Sequence, residues 1–502
     1  MRTFGRLWLV TMAAILLAAC NSSGGGGGGG NEEENGNGGG NDSGGNGGDG
    51  GDALSAFEPA QFLIGNDGSS GNTTEGSQLW VTDGTEGNTA LVKDIFPGDD
   101  ARMAEFTRVE ELVFFRADDG SGNGEQLWVT DGTEDGTLRL TGIDDLDPGT
   151  ATMLTELDGA LYFRGRGAGT DRPWIWTSDG TPEGTELVSD GAPPENGLTL
   201  LTAFNGHLYF AHGNGGIGME LWRSDGTPEN TSLFANIQAE AGLGSLYSCP
   251  DRLVEMDGML YFAANDAANE CALWRTSGED GHAEKVRTIS AATNTGPAEL
   301  TTANGSLYFL AGGGATPASL WVSDGTEEGT SMVLESDDDY QIMLGGVTVG
   351  MKYPLMAAGD HAYFHVYDRS KASNEALQLW YTDGTDVGLV VDLERNVLGD
   401  GVDMAVAGDL LYYVDTRPDK DSDLITPNRG LWKASGGDVE LVHSGFTASN
   451  GGEPLIPVAD GETLLFSSMG EVWRTDGSSS GTEFVKDICP GPCFGFFGPT
   501  QE

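Results

Sequence analysis

After about residue 60, apolar residues fall in short clusters bounded by Gly, Asn, Asp, Ser and Thr, and the clusters repeat. One phrase reads QLWVTDGT at 78–85 and 126–133, WIWTSDGT at 174–181, ELWRSDGT at 220–227 and ALWRTSGE at 272–279. It returns as SLWVSDGT at 319–326, QLWYTDGT at 378–385, GLWKASGG at 430–437 and EVWRTDGS at 471–478. The nine markers are Trp80, Trp128, Trp176, Trp222, Trp274, Trp321, Trp380, Trp432 and Trp473, at successive spacings of 48, 48, 46, 52, 47, 59, 52 and 41 residues. A second phrase precedes most copies, as in NGHLYF at 205–210 and NGSLYF at 304–309. Asn-Gly or Asp-Gly between apolar runs is a strong short-range hairpin signal.

Each unit therefore parses into four antiparallel strands, A to D. In the sixth unit these are 300–303, a tight turn, 307–310, a loop, 320–323, the DGTxxGT turn, and 331–334. Four short strands in a repeat of this length are the dimensions of a propeller blade. Leu-Trp in strand C and Leu-Tyr-Phe in strand B put apolar groups on both faces of the sheet, as a blade wedged between two neighbours requires. The predicted fold is all-β, a single propeller of nine blades over residues 57–502, with eight as the alternative if one terminal repeat is only a cap. The tryptophans are read as blade-to-blade packing, and Asp-Gly-Thr as a turn whose oxygens cap backbone N–H groups. The first copy lacks a good strand A, and Phe494-Gly495-Phe496-Phe497 is placed to supply it and latch the ring.

The chain resembles the bacterial repeat proteins named for their consensus, ELWxxDGT, over about residues 61–498. The fifth copy departs at Ser277 and the eighth at Ala434-Ser435, which puts their turns in doubt. The resemblance implies a secreted or surface-attached repeat protein and brings no established activity.

Residues 1–20 combine Arg2 and Arg6, an apolar run and Leu17-Ala18-Ala19-Cys20, and so read as a signal peptide ending in a lipobox with lipidation at Cys20. Residues 21–56 are nearly all Gly, Asn, Ser, Asp and Glu, a disordered tether reaching on the order of 30 to 35 Å. A lipid-anchored, exported protein of the outer membrane or cell surface follows, with Asn21 favouring the outer membrane by resemblance to known sorting. The remaining cysteines sit in an oxidising compartment, with Cys249–Cys271 and Cys489–Cys493 the favoured disulfides among three pairings.

The 502-residue chain carries 78 acidic against 25 basic residues, a formal charge of −53, which argues against nucleic acid as a partner. Asp419, Asp421 and Asp423 have the spacing that opens a calcium loop, without its usual glycine and glutamate; Asp119, Ser121 and Asn123 form a weaker fragment. Calcium is the one cofactor this allows. The histidines at 207, 212, 282, 361, 365 and 443 form no metal-ligand or nucleophile motif.

Loop length varies between strands B and C and between D and the next A, notably at 335–353 and 415–429, so that rim is the predicted binding face. The expected role is noncatalytic recognition of a protein or glycan by a monomeric, membrane-tethered propeller. The alternatives are a propeller enzyme, quinoprotein-like or a hydrolase, and a purely structural envelope protein.

Overall fold

Apolar clusters punctuated by turn residues yield strands: in the computed structural model every α-helix or strand element among the described residues is a β-strand. The described residues are 60–488 apart from 66–76, 141–145, 148, 168–172, 189–195, 214–218, 238–252, 266–269, 280, 291–295, 314–315, 345–353, 372–375, 394–403, 416–428, 447–454, 459 and 469–470. All lie within Gly51–Glu502, one of the two units into which the chain divides; the other is Met1–Gly50. The expected signal peptide and tether fall outside the described residues, among which no helix is long and apolar enough to cross a membrane.

The strands form nine antiparallel sheets in a ring, a nine-bladed β-propeller. The sixth blade shows the plan, with strand A at Ala298–Ala303, B at Ser306–Gly313, C at Thr316–Ser323 and D at Ser331–Glu335, hydrogen-bonded in that order. The A strands of successive blades lie against one another, as Ala104–Val109 does on Thr152–Leu157, and so make the inner ring. The D strands carry most of the exposed large apolar residues, including Leu91, Leu187, Leu233, Met332, Leu389 and Phe484.

Burial on both faces of each sheet gives the ring its cohesion. Leu307, Tyr308, Phe309 and Leu310 are each at most 1% exposed, a continuous buried run rather than an alternating one. Among the described residues, nine apolar clusters each lie between two adjacent blades. The cluster that joins the last blade to the first combines Leu465, Val472, Val485 and Ile488 with Leu63 and Trp80, which closes the circle. Every marker tryptophan packs into the cluster it shares with the preceding blade, as Trp321 does beside Tyr261 and Leu273. The packing reading of the tryptophans holds for all nine.

The DGT turn stands as its chemistry requires. Asp83 Oδ1 accepts from Thr85 N at 2.9 Å and from Thr85 Oγ1 at 2.6 Å, and Thr82 Oγ1 meets Thr89 Oγ1 at 2.6 Å. Burial works to raise the Asp83 pKa, but these hydrogen bonds outweigh it and hold the carboxyl below its ordinary value. In the fifth blade Ser277 Oγ takes the aspartate's place, accepting from Glu279 N at 3.3 Å. In the eighth the turn shrinks to Gly436 and Gly437, with Ser435 paired directly to Asp438. Glycine is obligatory at Gly278, where φ is +79° and an added Cβ would lie 2.7 Å from Tyr209 Oη of the preceding blade.

A cation near the end of strand D ties some blades to the next turn. Lys93 Nζ donates to Glu134 O and Thr137 O at 3.2 and 2.8 Å. Arg287 donates to Glu327 O and Thr330 O at 3.0 and 2.7 Å, and Lys486 to Glu86 O and Thr89 O at 3.3 and 2.5 Å. The last of these spans the closure of the ring.

Two blades depart from the plan. The first has three strands among the described residues, at Gln61–Gly65, Gln78–Thr82 and Ala90–Lys93, with no A strand among them. The apolar tail at 494–497, expected to fill that place, lies outside the described residues. In the seventh blade the stretch read as an inter-blade loop is partly sheet: Tyr340–Ile342 pairs with His361–Asp368 ahead of Met356–Ala358, so the insertion interrupts an inner strand.

Candidate functional site

The antiparallel order places the A–B and C–D turns on one rim and the B–C and D–A connections on the other. The turn rim is chemically closed, because Asp131, Asp179, Asp225, Asp324 and Asp476 repeat the Asp83 arrangement and bond to their own turns. The opposite rim differs from blade to blade. One residue past the position of strand B that pairs with the marker tryptophan, successive blades carry Ile64, Arg116, Arg164, Ala211, Ala263, Leu310, His365, Val414 and Ser467. Seven of these nine are buried, at most 3% exposed, and only Arg116 and Arg164 are partly exposed.

The inner strands at this end hold a feature the sequence reading missed. In the second, third, fourth and sixth blades the A–B register shifts by a bulge, and Glu105, Met153, Leu200 and Glu299 take φ values of 53°, 58°, 61° and 53°. A non-glycine residue in this region costs roughly 1–3 kcal/mol and persists only where its surroundings enforce it. Two of the four are glutamates that reach the next blade: Glu105 Oε2 accepts from Leu154 N at 3.4 Å, and Glu299 Oε2 from Leu355 N at 2.8 Å. The signal was present in the recurring Phe106-Thr107, Leu154-Thr155, Leu201-Thr202 and Leu300-Thr301 that follow these residues.

Charge on the rim is arranged differently in the second and third blades. In the second, Arg116 pairs with both Glu105 and Glu125 and is neutralised; burial opposes its charge, but the two glutamates outweigh it and raise its pKa. The fragment Asp119-Ser121-Asn123 is occupied by its own chain: Asp119 accepts from Ser121 N at 3.0 Å, from Gln126 Nε2 at 3.3 Å and from Arg139 at 2.7 Å. In the third, Gly149, Thr150, Thr152, Arg164, Arg166 and Pro173 line an open cleft of about 250 Å³. Arg164 donates to Leu198 O at 2.9 Å and to Thr152 Oγ1 at 3.2 Å, while Arg166 lies 3.5 Å from Asp147. Burial and then the charge of Arg166 push the Arg164 pKa down, with Glu105 opposing.

The histidines are dispersed. His212 is buried between Trp174 and Trp222, with ring centroids 5.0 and 4.8 Å away. His443 lies against Trp473 at 4.5 Å; burial lowers its pKa, opposed by Glu471. His361 and His365 stand on one strand of the seventh blade, His361 against Tyr381 at 5.4 Å and His365 wholly buried. Among the described residues no three His, Cys, Asp or Glu side chains are grouped to hold a metal ion.

Cys271 opens a C strand and is fully buried, with Sγ 3.0 Å from Asn265 Oδ1. Cys20, Cys249, Cys489 and Cys493, and the acidic run Asp419, Asp421 and Asp423, lie outside the described residues.

No protein-family model matches the chain, and no curated protein sequence matches it. Among solved structures it is similar to a prolyl endopeptidase, at 12% identity over 75% of this chain and 54% of that one, with a TM-score of 0.42. It is similar to oligopeptidase B from Leishmania major, at 8% identity over 74% and 53%, TM-score 0.42. An oligogalacturonate lyase from Vibrio parahaemolyticus matches at 12% identity over 73% and 95%, TM-score 0.35. The chain spans about half the length of the two peptidases.

Proposed function

We propose that this protein is a noncatalytic recognition module of the ELWxxDGT type, held at the cell envelope by a lipid on Cys20 and binding a protein or glycan through its B–C and D–A rim. The observation that carries this reading is the contrast between the two ends: the DGT aspartates are spent on their own turns, whereas the connections at the other end vary in length from blade to blade. A strained inner ring adds to it, since backbone strain concentrates at functional sites. Disulfides Cys249–Cys271 and Cys489–Cys493 belong to the same proposal and would brace loops at that end. The test is a glycan and peptide array probed with the purified protein. Binding is expected, and expected to survive substitution of exposed turn-rim residues such as Glu86 or Glu134. An array blank for every probe, or binding lost through the turn rim alone, overturns the reading.

Calcium is part of the proposal at Asp419, Asp421 and Asp423, whose alternating carboxylates match the opening of an oxygen-ligand loop. Calorimetric titration of the protein with calcium is expected to show binding that Asp421→Ala weakens about tenfold, as loss of one charged ligand implies. No heat and no thermal stabilisation would remove calcium from the account.

A further inference from the structure

The second and third blades place an arginine at the same point of strand B, Arg116 paired to Leu127 and Arg164 paired to Ile175. In the second blade two carboxylates meet it, Glu105 from the bulge of strand A and Glu125 from the start of strand C. Their counterparts in the third blade are Met153, at the same bulge, and Pro173. Both acids are gone while the arginine is kept. Arg166, two residues along the same strand and so on the same face, adds a second guanidinium. Among the described residues no carboxylate lies within ion-pairing distance of Arg164, and Arg166 has only the half-exposed Asp147 at 3.5 Å.

Two positive side chains are therefore gathered in a cleft of a molecule carrying a formal charge of −53. Left alone they repel, and an oxyanion between them removes that cost and gains charge-assisted hydrogen bonds. The rest of the lining is small: Gly149, Pro173, the Thr152 hydroxyl, and Thr150, whose buried Oγ1 donates to Asp147 O at 2.7 Å and accepts from Arg166 N at 3.0 Å. Resting on the recognition reading above, we infer that this third-blade cleft is a subsite for one acidic sugar unit: the arginines hold its carboxylate or sulfate, and Thr152 Oγ1, beside Arg164, meets a ring hydroxyl.

The experiment titrates the purified protein with glucuronate, glutamate, inorganic sulfate and glucose. Glucuronate is expected to bind, and glucose not to. Arg166→Gln, chosen because Arg164 also bonds across to the fourth blade, is expected to weaken glucuronate at least about tenfold. Asp147→Asn, which removes the resident competitor for Arg166, is expected to tighten it several-fold, a gain that a merely structural role for these residues would not give. Glutamate or sulfate binding as tightly as glucuronate would overturn the sugar assignment, and unchanged binding in Arg166→Gln would overturn the cleft. If the array shows neutral glycans or a peptide held equally by the parent and by Arg166→Gln, the cleft is wrong and the recognition reading stands. A blank array removes the recognition reading itself.

Discussion

Phe309→Ala should cost about 3–5 kcal/mol of unfolding free energy, whereas Met332→Thr, on the opposite side of the same tryptophan, should cost less than about 1 kcal/mol. Trp321 pairs across the sheet with Phe309 on strand B and with Met332 on strand D. Phe309 is completely buried, and its ring stacks on Trp321 with centroids 6.1 Å apart. It also belongs to the cluster shared with Tyr261 and Leu273 of the fifth blade, so its removal opens a cavity in an inter-blade core. Met332 is 48% exposed at the outer edge and leaves little behind when shortened. The two urea midpoints test this, with the slope unchanged in both variants. Equal midpoints would mean that the blades are held at their outer edges rather than through their faces.

That contrast follows from features the chain displays openly. Leu-Trp and Leu-Tyr-Phe are adjacent apolar residues, and adjacency in a strand means burial on two sides, which selects a ring of sheets from the other all-β arrangements. The DGT turn was equally legible, because its bonds run within a few residues, from Thr85 to Asp83 or from Thr82 to Thr89. Features that depend on the next blade were not. Nothing local to Glu105 announces that its carboxylate will meet Arg116 and the amide of Leu154, some 49 residues on. The different fates of Arg116 and Arg164 emerge only when the blades are superposed and Met153 and Pro173 are seen where acids stood. In the seventh blade, Tyr340–Ile342 follows three aspartates, and three residues carry too short an alternation to mark a strand.

Loop lengths mark the B–C and D–A end as the variable one but do not give its chemistry, because loop length reports tolerance rather than contact. Nine similar blades explain both facts. The repeated positions are fixed by the need of every sheet to fit its two neighbours, so they recur and can be read. The loops at the B–C end escape that requirement, and each follows its own blade. A site built from such residues has no internal period, and only the assembled ring brings its parts together.

The buried tyrosines of strand B make stability fall on the alkaline side. Tyr363 and Tyr412 are fully buried, and burial pushes both phenols from 10.0 up to about 12, with Asp476 adding to the effect on Tyr412. At Tyr363 the amide of Gly436 donates to Oη at 2.8 Å and pulls the other way without overcoming burial. Tyr162, Tyr209 and Tyr308 are raised by the same cause. A phenol whose pKa is higher folded than unfolded contributes stability that is complete below the unfolded value and lost as pH climbs to the folded one. The window here is therefore from pH 10 to about 12, and the loss is about 2–3 kcal/mol for each of Tyr363 and Tyr412. Urea midpoints should be flat up to the lower bound and then fall, and the Tyr363→Phe, Tyr412→Phe double variant, with nothing to ionise at those positions, should fall less steeply. Phenolate absorbance that develops fully in the folded protein without any drop in midpoint would show that these hydroxyls reach water, and that the seams between the seventh, eighth and ninth blades are looser than their packing indicates.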